Sequence, residues 1–394
     1  MHCGTYIDRT LNKDTLEKTI AHLVEKYDVL RAQISSDNNW QFSEFDENIN
    51  VPNLIIDLTL FHPEDKEKAI MEVIENGVYK LFDSTNVCYF RCITFKLTHR
   101  SFIVFTLFDH LIADGVSLKL FDEDLRNSYY RLNSGQELIA NVASYEAYLN
   151  QISRGPIGYT DGELIKEFSL DKYATFANQI NPNWNSNKVE NKKKQKIVFS
   201  KEKLNECLGK QADIDHALSL FCFLAKALFK IDQYPVSIVY NGRRYAENNY
   251  PETIGYLADN IPFFITDDHV FNGNVYEKML SCIEKVAHNN ISFSALKYNP
   301  SLNESFKKSA EFSDNLPLVF NYQGYVDKVD EDSSYLDELR EKYRRTYNIP
   351  LYANFFSTSE DIIASITVNE SMDISGIKSS VLEYMNSKLM KQTS

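Results

Sequence analysis

The sequence lacks the motifs of several common enzyme chemistries. No two of its six cysteines form a Cys-x-x-Cys pair, which excludes the usual zinc and dithiol redox motifs. It contains no Gly-x-Ser-x-Gly nucleophile elbow, no P-loop and no Gly-x-Gly-x-x-Gly fingerprint. Nothing therefore indicates a serine hydrolase of that type, a P-loop nucleotide site or a Rossmann dinucleotide site.

Glycine, proline and long apolar runs are also scarce. The 394 residues include only 13 Gly and 10 Pro, against 13% aromatic residues, which excludes a disordered, collagenous or low-complexity chain. The longest apolar stretch, residues 217–228, is too short to span a bilayer, and residues 1–10 lack the regions of a signal peptide. The net charge of −13 argues against nucleic acid or an anionic membrane as the main partner. We therefore expect a globular cytoplasmic protein with reduced cysteines.

Strand-like and helix-like patterns alternate in both halves of the chain. Runs rich in aromatic and β-branched residues cover residues 87–97 and 101–108 and lie between segments with helical apolar spacing. The second half repeats this mixture. The sequence therefore predicts two α/β domains, residues 1–180, which contain the candidate site, and residues 181–394.

A polar stretch separates the two predicted domains. Residues 155–196 look irregular, and we place the inter-domain linker between residues 175 and 196. The basic run at residues 192–194 is interpreted as part of a solvated tether rather than a binding patch.

One segment, residues 105–115, places chemically useful groups close together. A strand-like run leads to His110 on a turn, Asp114 follows, and Gly115 precedes a helix. The near-neutral pKa of a histidine suits it to take a proton from an amine or hydroxyl nucleophile. Gly115 permits close backbone approach or an unusual dihedral angle. The residues alone leave open whether His110 is catalytic or structural. They also leave open whether Asp114 orients His110 as in a triad or is a buried acid paired with an arginine, which we favour.

The sequence His-Leu-Ile-Ala-Asp-Gly at residues 110–115 resembles the His-x-x-x-Asp-Gly signature of the chloramphenicol-acetyltransferase-like superfamily. That superfamily includes the condensation domains of nonribosomal peptide synthetases, the BAHD acyltransferases and polyketide-associated acyltransferases. Other stretches resemble further motifs of the superfamily and follow one another in the order that the superfamily has. These stretches are residues 14–34 (with Tyr27 in place of the usual His), 144–148, 235–262, 288–293 and 314–323.

The resemblance implies a fold and a reaction. The fold is α/β, with two similar lobes that form a V with a tunnel between them, and the reaction is acyl transfer in natural-product biosynthesis. An acyl group would move from a thioester, on coenzyme A or on carrier-protein phosphopantetheine, to an amine or hydroxyl. The resemblance implies a monomer with no metal and no permanently bound cofactor. The implied partners are the acyl thioester, a small acceptor and, as one form of donor, an acyl or peptidyl carrier protein.

The resemblance also assigns roles to residues. His110 would be the catalytic residue, as general base or positioning group. Asp114 would be a structural acid, with Arg243 as its salt-bridge partner. Gly115 would allow close approach and offer a backbone donor to the oxyanion. Asn321 would face the tunnel and bind the tetrahedral intermediate or the nucleophile.

Two departures from the family pattern keep alternatives open. Asp109 stands where condensation domains usually have a second His, and residues 257–260 replace the usual Phe-Val-Asn-Thr. One alternative is a non-catalytic module that binds a carrier protein or a tailoring enzyme. The other is an epimerase that acts on a carrier-bound group. The intact His110, Asp114 and Gly115 favour acyl transfer by a compact, free-standing relative.

Overall fold

The structure is a computed structural model, and it forms two compact units. Unit 1 comprises Met1–Gln151 and Asn248–Ala258, and unit 2 comprises Ile152–Glu247 and Asp259–Ser394. Residues 248–258, the inserted segment, thus interrupt unit 2 in sequence but belong to unit 1. The structure describes residues 2–35, 39–46, 53–74, 89–138, 141, 144–180, 192–266, 275–311, 318–326 and 349–392.

The described residues form both strands and helices. The strands are β1 (His2–Ile7), β2 (Ala32–Ile34), β3 (Trp40–Phe42), β4 (Asn53–Asp57), β5 (Phe90–Thr98), β6 (Ser101–Phe108), β7 (Lys192–Ser200), β8 (Gln233–Tyr240), β9 (Arg244–Tyr245), β10 (Asn248–Asn249), β11 (Asp259–Thr266), β12 (Leu318–Tyr325), β13 (Leu351–Ser357) and β14 (Asp361–Asn369). The helices are α1 (Lys13–Lys26), α2 (Pro63–Val73), α3 (Gly115–Asn133), α4 (Tyr145–Ile152), α5 (Asp161–Glu167), α6 (Leu170–Ile180), α7 (Lys201–Leu208), α8 (Asp213–Phe229), α9 (Val275–His288), α10 (Phe293–Tyr298), α11 (Pro300–Ser305), α12 (Lys307–Ala310) and α13 (Ile377–Gln392).

Unit 1 is built around a four-stranded sheet in the order β1-β6-β5-β4. Strand β6 is antiparallel to both β1 and β5, and β4 is parallel to β5. Aromatic residues of β5 and β6 pack on α3. The ring of Phe121 on α3 lies 5.4 Å from that of Phe90 and 5.0 Å from that of Phe108, measured between centroids. The contact fixes the direction in which α3 leaves the end of β6.

Unit 2 contains a six-stranded mixed sheet in the order β11-β8-β12-β13-β14-β7. Helix α8 is apolar nearly all round, as expected for a buried helix, and its Phe221 packs edge-on against Phe320 of β12, with centroids 5.5 Å apart. Among the described residues, no helix is long and apolar enough to cross a membrane.

The structure corrects the interpretation of residues 155–196 as irregular. Polar residues there form a capping box, in which Thr160 Oγ1 accepts the Glu163 N–H and the Glu163 carboxylate accepts the Thr160 N–H, so α5 begins at Asp161. Helix α6 belongs to unit 2, because Tyr173 is buried and its hydroxyl donates to Val236 O at 2.9 Å. The boundary before Ile152 therefore differs from the expected one after residue 180.

The basic run at residues 192–194 is also a correction. It forms the start of β7, the strand at one edge of the unit 2 sheet, and pairs with β14. Lysines on an edge strand discourage pairing with another chain. The remainder of the expected linker, residues 181–191, lies outside the described residues.

Candidate functional site

The turn between β6 and α3 is held by backbone hydrogen bonds and buried apolar residues. The Asp109 N–H donates to Tyr89 O at 2.8 Å, and the Asp109 carboxylate accepts the Leu111 N–H at 2.9 Å. Ile112 and Ala113 are fully buried. Asp109, which replaces the second His of the family pattern, thus shapes the turn that presents the next residue.

His110 projects from this turn with an exposed side chain. Its Nδ1 lies 3.0 Å from Ala113 O. A carbonyl oxygen only accepts, so the proton is assigned to Nδ1, and Nε2 keeps its lone pair. The imidazole also makes an edge contact with the Tyr256 ring, at 5.2 Å between centroids and 71° between planes. The site therefore contains an oriented imidazole whose Nε2 is able to take a proton.

Asp114 is the N-cap of α3 and is 3% exposed. Its Oδ1 accepts the Ser117 N–H at 2.8 Å, and its Oδ2 accepts the N–H groups of Leu257 and Ala258, both at 3.1 Å. Because His110 Nδ1 donates to Ala113 O instead, the geometry favours the structural role of Asp114 over the triad role. The carboxylate fixes the start of α3 to the inserted segment.

Ser117 adds a second connection between α3 and the inserted segment. Its hydroxyl oxygen accepts the Gly255 N–H at 3.1 Å. The same oxygen lies 2.8 Å from Asp114 Oδ1 and 2.8 Å from Gly255 O, and these two acceptors share its single proton. A Cβ on Gly255 would lie 2.2 Å from Tyr145 Cδ2. Only glycine therefore fits here without displacing the tyrosine ring.

Two tyrosines of α4 hold the inserted segment from its other side. The Tyr145 hydroxyl donates to Tyr256 O, and the Tyr148 hydroxyl donates to Leu257 O, each at 3.2 Å. Burial raises the pKa of the Tyr145 phenol above its usual range, so it remains a donor at neutral pH. These contacts explain the tyrosine-rich stretch at residues 144–148.

Asp28 explains part of the N-terminal resemblance. The residue is 5% exposed, and its carboxylate accepts the Tyr145 N–H at 2.8 Å and the Ser144 hydroxyl at 2.7 Å. It therefore satisfies the backbone at the start of α4. Sequence reasoning on residues 14–34 identified the stretch but missed this role.

Gly115 occupies the first position of α3, and its conformation is not the expected one. It is not among the residues with positive φ, and a Cβ built on it would meet nothing within 4 Å. Neither backbone strain nor a close protein contact requires glycine at this position. What glycine leaves there is open space beside the first N–H of a helix, a group with no intrahelical acceptor.

The other two predicted site residues lie in unit 2. Arg243 is 7% exposed, and its Nη1 donates to Asn241 O at 2.9 Å. Asn321 is half-buried on β12, and its Nδ2 donates to Asn354 Oδ1 on β13 at 2.9 Å. Asn354 was missed, because nothing in the sequence links the two strands. Asp114 and Arg243 belong to different units, so their pairing stays a prediction.

Asp259, in the altered stretch 257–260, has a structural role in unit 2. It is 2% exposed, and its Oδ1 accepts the N–H and the hydroxyl of Ser294 at 3.1 and 2.8 Å, while Oδ2 accepts the Tyr245 hydroxyl at 3.2 Å. Burial raises the pKa of this carboxyl.

Within the described residues, no three metal-ligating side chains lie together.

The fold is that of the condensation domains of peptide synthetases. The chain superposes on the epimerization domain from the third module of tyrocidine synthetase B with a TM-score of 0.62 and 13% identity, covering 99% of this chain and 91% of that one. It superposes on the starter condensation domain of rhizomide synthetase RzmA, a mutant in complex with C8-CoA and Leu-SNAC, with a TM-score of 0.59 and 12% identity, covering 98% and 87% of the two chains.

The family model of the condensation domain matches residues 2–359, and the chain belongs to that family. A linear gramicidin synthase polypeptide of Brevibacillus parabrevis is 21% identical over 340 residues, which is 81% of this chain. The chain spans only 6% of the length of that synthase polypeptide.

Proposed function

We propose that this chain is an acyltransferase that joins an acyl thioester to an amine or hydroxyl acceptor, with His110 as the general base. The observation that supports the proposal is the assigned Nδ1–H···O bond to Ala113. It leaves the Nε2 lone pair of an exposed imidazole available for proton transfer.

The proposed reaction transfers the acyl group from sulfur to the acceptor and releases a thiol. The amine nitrogen attacks the thioester carbonyl carbon, and His110 Nε2 takes a proton from it. The C–S bond of the tetrahedral intermediate then breaks, and the sulfur leaves as a thiol with the proton from the imidazolium. The products are an amide and a free thiol, and a hydroxyl acceptor would give an ester instead.

Two neighbouring groups are proposed to assist. The N–H of Gly115 lies at the start of α3, where helix N–H groups favour a developing negative charge. The absence of a side chain there leaves room for an oxyanion. Asn321 is proposed to bind the intermediate or the nucleophile through its amide, and Arg243 to pair with Asp114.

The donor is proposed to be coenzyme A or a phosphopantetheinyl carrier protein. The relation to RzmA supplies a probe pair, because the mutant RzmA domain is in complex with both C8-CoA and Leu-SNAC. The net charge of −13 favours coenzyme A or a small docking footprint, because carrier proteins are commonly acidic.

Mass spectrometry of mixtures of the protein, C8-CoA and Leu-SNAC tests the proposal. We expect octanoyl-Leu-SNAC and free coenzyme A, at a rate that falls on the order of 10²- to 10⁴-fold in His110→Gln. The matched control is His99→Gln, since His99 is another exposed histidine of unit 1.

Equal turnover by His110→Gln and the unmodified protein would refute the assignment of His110. No product from C8-CoA or from acylated carrier proteins with any amine or alcohol would favour the non-catalytic binding module. Exchange of the leucyl α-hydrogen of Leu-SNAC for deuterium would instead indicate epimerisation.

A further inference from the structure

We infer that Tyr256 is a positioning residue that holds the His110 imidazole in its reactive orientation. The inference rests on the proposed function of His110. Tyr256 touches the imidazole rather than the reacting atoms of the proposed mechanism, so its effect would pass through His110.

A single hydrogen bond does not fix an exposed imidazole firmly. The bond from Nδ1 to Ala113 O restrains one edge of the ring, and water is able to compete for it, since His110 is exposed. The Tyr256 ring packs nearly perpendicular to the imidazole at 5.2 Å. Together the two contacts restrict rotation about the bond to the imidazole and so set the direction of the Nε2 lone pair.

Tyr256 is itself held on both sides. The N–H groups of Gly255 and Leu257, its neighbours in sequence, donate to Ser117 Oγ and Asp114 Oδ2. The Tyr256 carbonyl accepts the Tyr145 hydroxyl. The backbone that presents the ring to His110 is therefore rigid, which a positioning contact requires.

Tyr256 is more exposed than the residues on either side of it. Tyr256 is 36% exposed, whereas the flanking Gly255 and Leu257 are buried. Its partly exposed ring lies against His110. The ring is thus placed to restrain the imidazole.

The test compares Tyr256→Leu, which removes the ring, with Tyr256→Phe, which keeps it. The matched control is Tyr250→Leu, because Tyr250 belongs to the same inserted segment and its ring packs on Tyr148 with centroids 5.4 Å apart. Thermal unfolding of each variant establishes that it is folded, and Tyr256→Met serves as a second ring-free variant.

The first readout needs no substrate. Two-bond ¹H–¹⁵N spectra of the ¹⁵N-histidine-labelled protein report the tautomer and pKa of each imidazole, and His110→Gln identifies the signals of His110. We expect Tyr256→Leu to shift the ring-proton signals of His110 and to mix its tautomers. We expect wild-type spectra for Tyr256→Phe and Tyr250→Leu.

The second readout is turnover of C8-CoA and Leu-SNAC. We expect kcat of Tyr256→Leu to fall by about 10- to 100-fold at nearly constant KM, because misplacement of a catalytic group acts on the chemical step. Tyr256→Phe, which keeps the ring, should restore the rate.

Unchanged His110 signals in folded Tyr256→Leu and Tyr256→Met would overturn the inference, as would equal effects from Tyr250→Leu. Failure of the proposed function looks different, because the unmodified protein would then give no product, or His110→Gln would keep full turnover. The spectra judge the positioning role of Tyr256 in either case.

Discussion

Replacement of Asp114 by asparagine tests the structural role of the motif carboxylate most directly. The amide keeps one oxygen and places an NH₂ group where the other oxygen was. Either the Ser117 N–H or the pair of N–H groups from Leu257 and Ala258 then faces a donor instead of an acceptor. A full truncation to alanine would remove both acceptors and is the harsher variant.

The size of the effect follows from these contacts. Loss of an N-cap costs about 1 kcal/mol, and each buried donor without an acceptor costs roughly 1–3 kcal/mol. Because Leu257 and Ala258 share one oxygen, their contributions do not add in full. We expect Asp114→Asn to lower the free energy of unfolding by about 2–4 kcal/mol, which is a large share of the ~5–15 kcal/mol typical of a folded domain.

The assay is chemical unfolding followed by circular dichroism, together with hydrogen–deuterium exchange of the inserted segment. The control is Thr160→Ala, which removes the exposed N-cap of the short helix α5 and should cost about 1 kcal/mol. We expect residues 248–258 to exchange faster in Asp114→Asn alone. If Asp114→Asn is as stable as Thr160→Ala and exchange at Leu257 is unchanged, the structural role is wrong.

Two further stability predictions use other buried positions. Gly255→Ala should lower the free energy of unfolding by about 1–3 kcal/mol, because the new Cβ overlaps Tyr145. The control is Gly162→Ala, where a Cβ meets nothing within 4 Å, so the free energy should fall much less or rise. Thermal unfolding measures both variants. Burial lowers the pKa of His216, whose Nε2 contacts Gly209 O and whose buried Nδ1 has no partner among the described residues. The unfolded chain therefore binds the proton more readily, and stability should fall as pH drops below about 6.5, by at most ~1.4 kcal/mol per pH unit. His216→Gln should flatten that part of the curve in urea unfolding at pH 5.5 and 7.5, and an unchanged slope would contradict the prediction.

Local patterns predicted the elements around the site well. The strand expected at residues 101–108 has the same bounds in the structure, because its aromatic and β-branched residues form a nearly continuous buried run. The helix that follows begins at Gly115, one residue before the expected start. Asp114 is a preferred N-cap residue type, so the start of this helix is encoded locally.

The contacts of the inserted segment had no such local signal. Asp114 Oδ2 meets N–H groups 143 and 144 residues later in the chain, and the inserted segment ends at Ala258, directly before β11 begins at Asp259. The apolar pattern of residues 254–258 is real, but it reflects burial in unit 1 rather than strand pairing. Sequence periodicity reports burial and cannot tell which partner buries a residue.

The family resemblance predicted the candidate site, and the geometry indicates a different role for each motif residue. Of the three fixed residues of the motif, Asp114 satisfies backbone groups, Gly115 leaves open space, and His110 alone presents a reactive group. The imidazole contacts Ala113, which directly precedes Asp114, and Tyr256, whose neighbour Leu257 also bonds to Asp114. One buried carboxylate thus accepts N–H groups from both α3 and the inserted segment. On the proposed mechanism, Asp114 would therefore act on the orientation of Nε2 through the backbone next to Ala113 and Tyr256 rather than by contact with Nδ1.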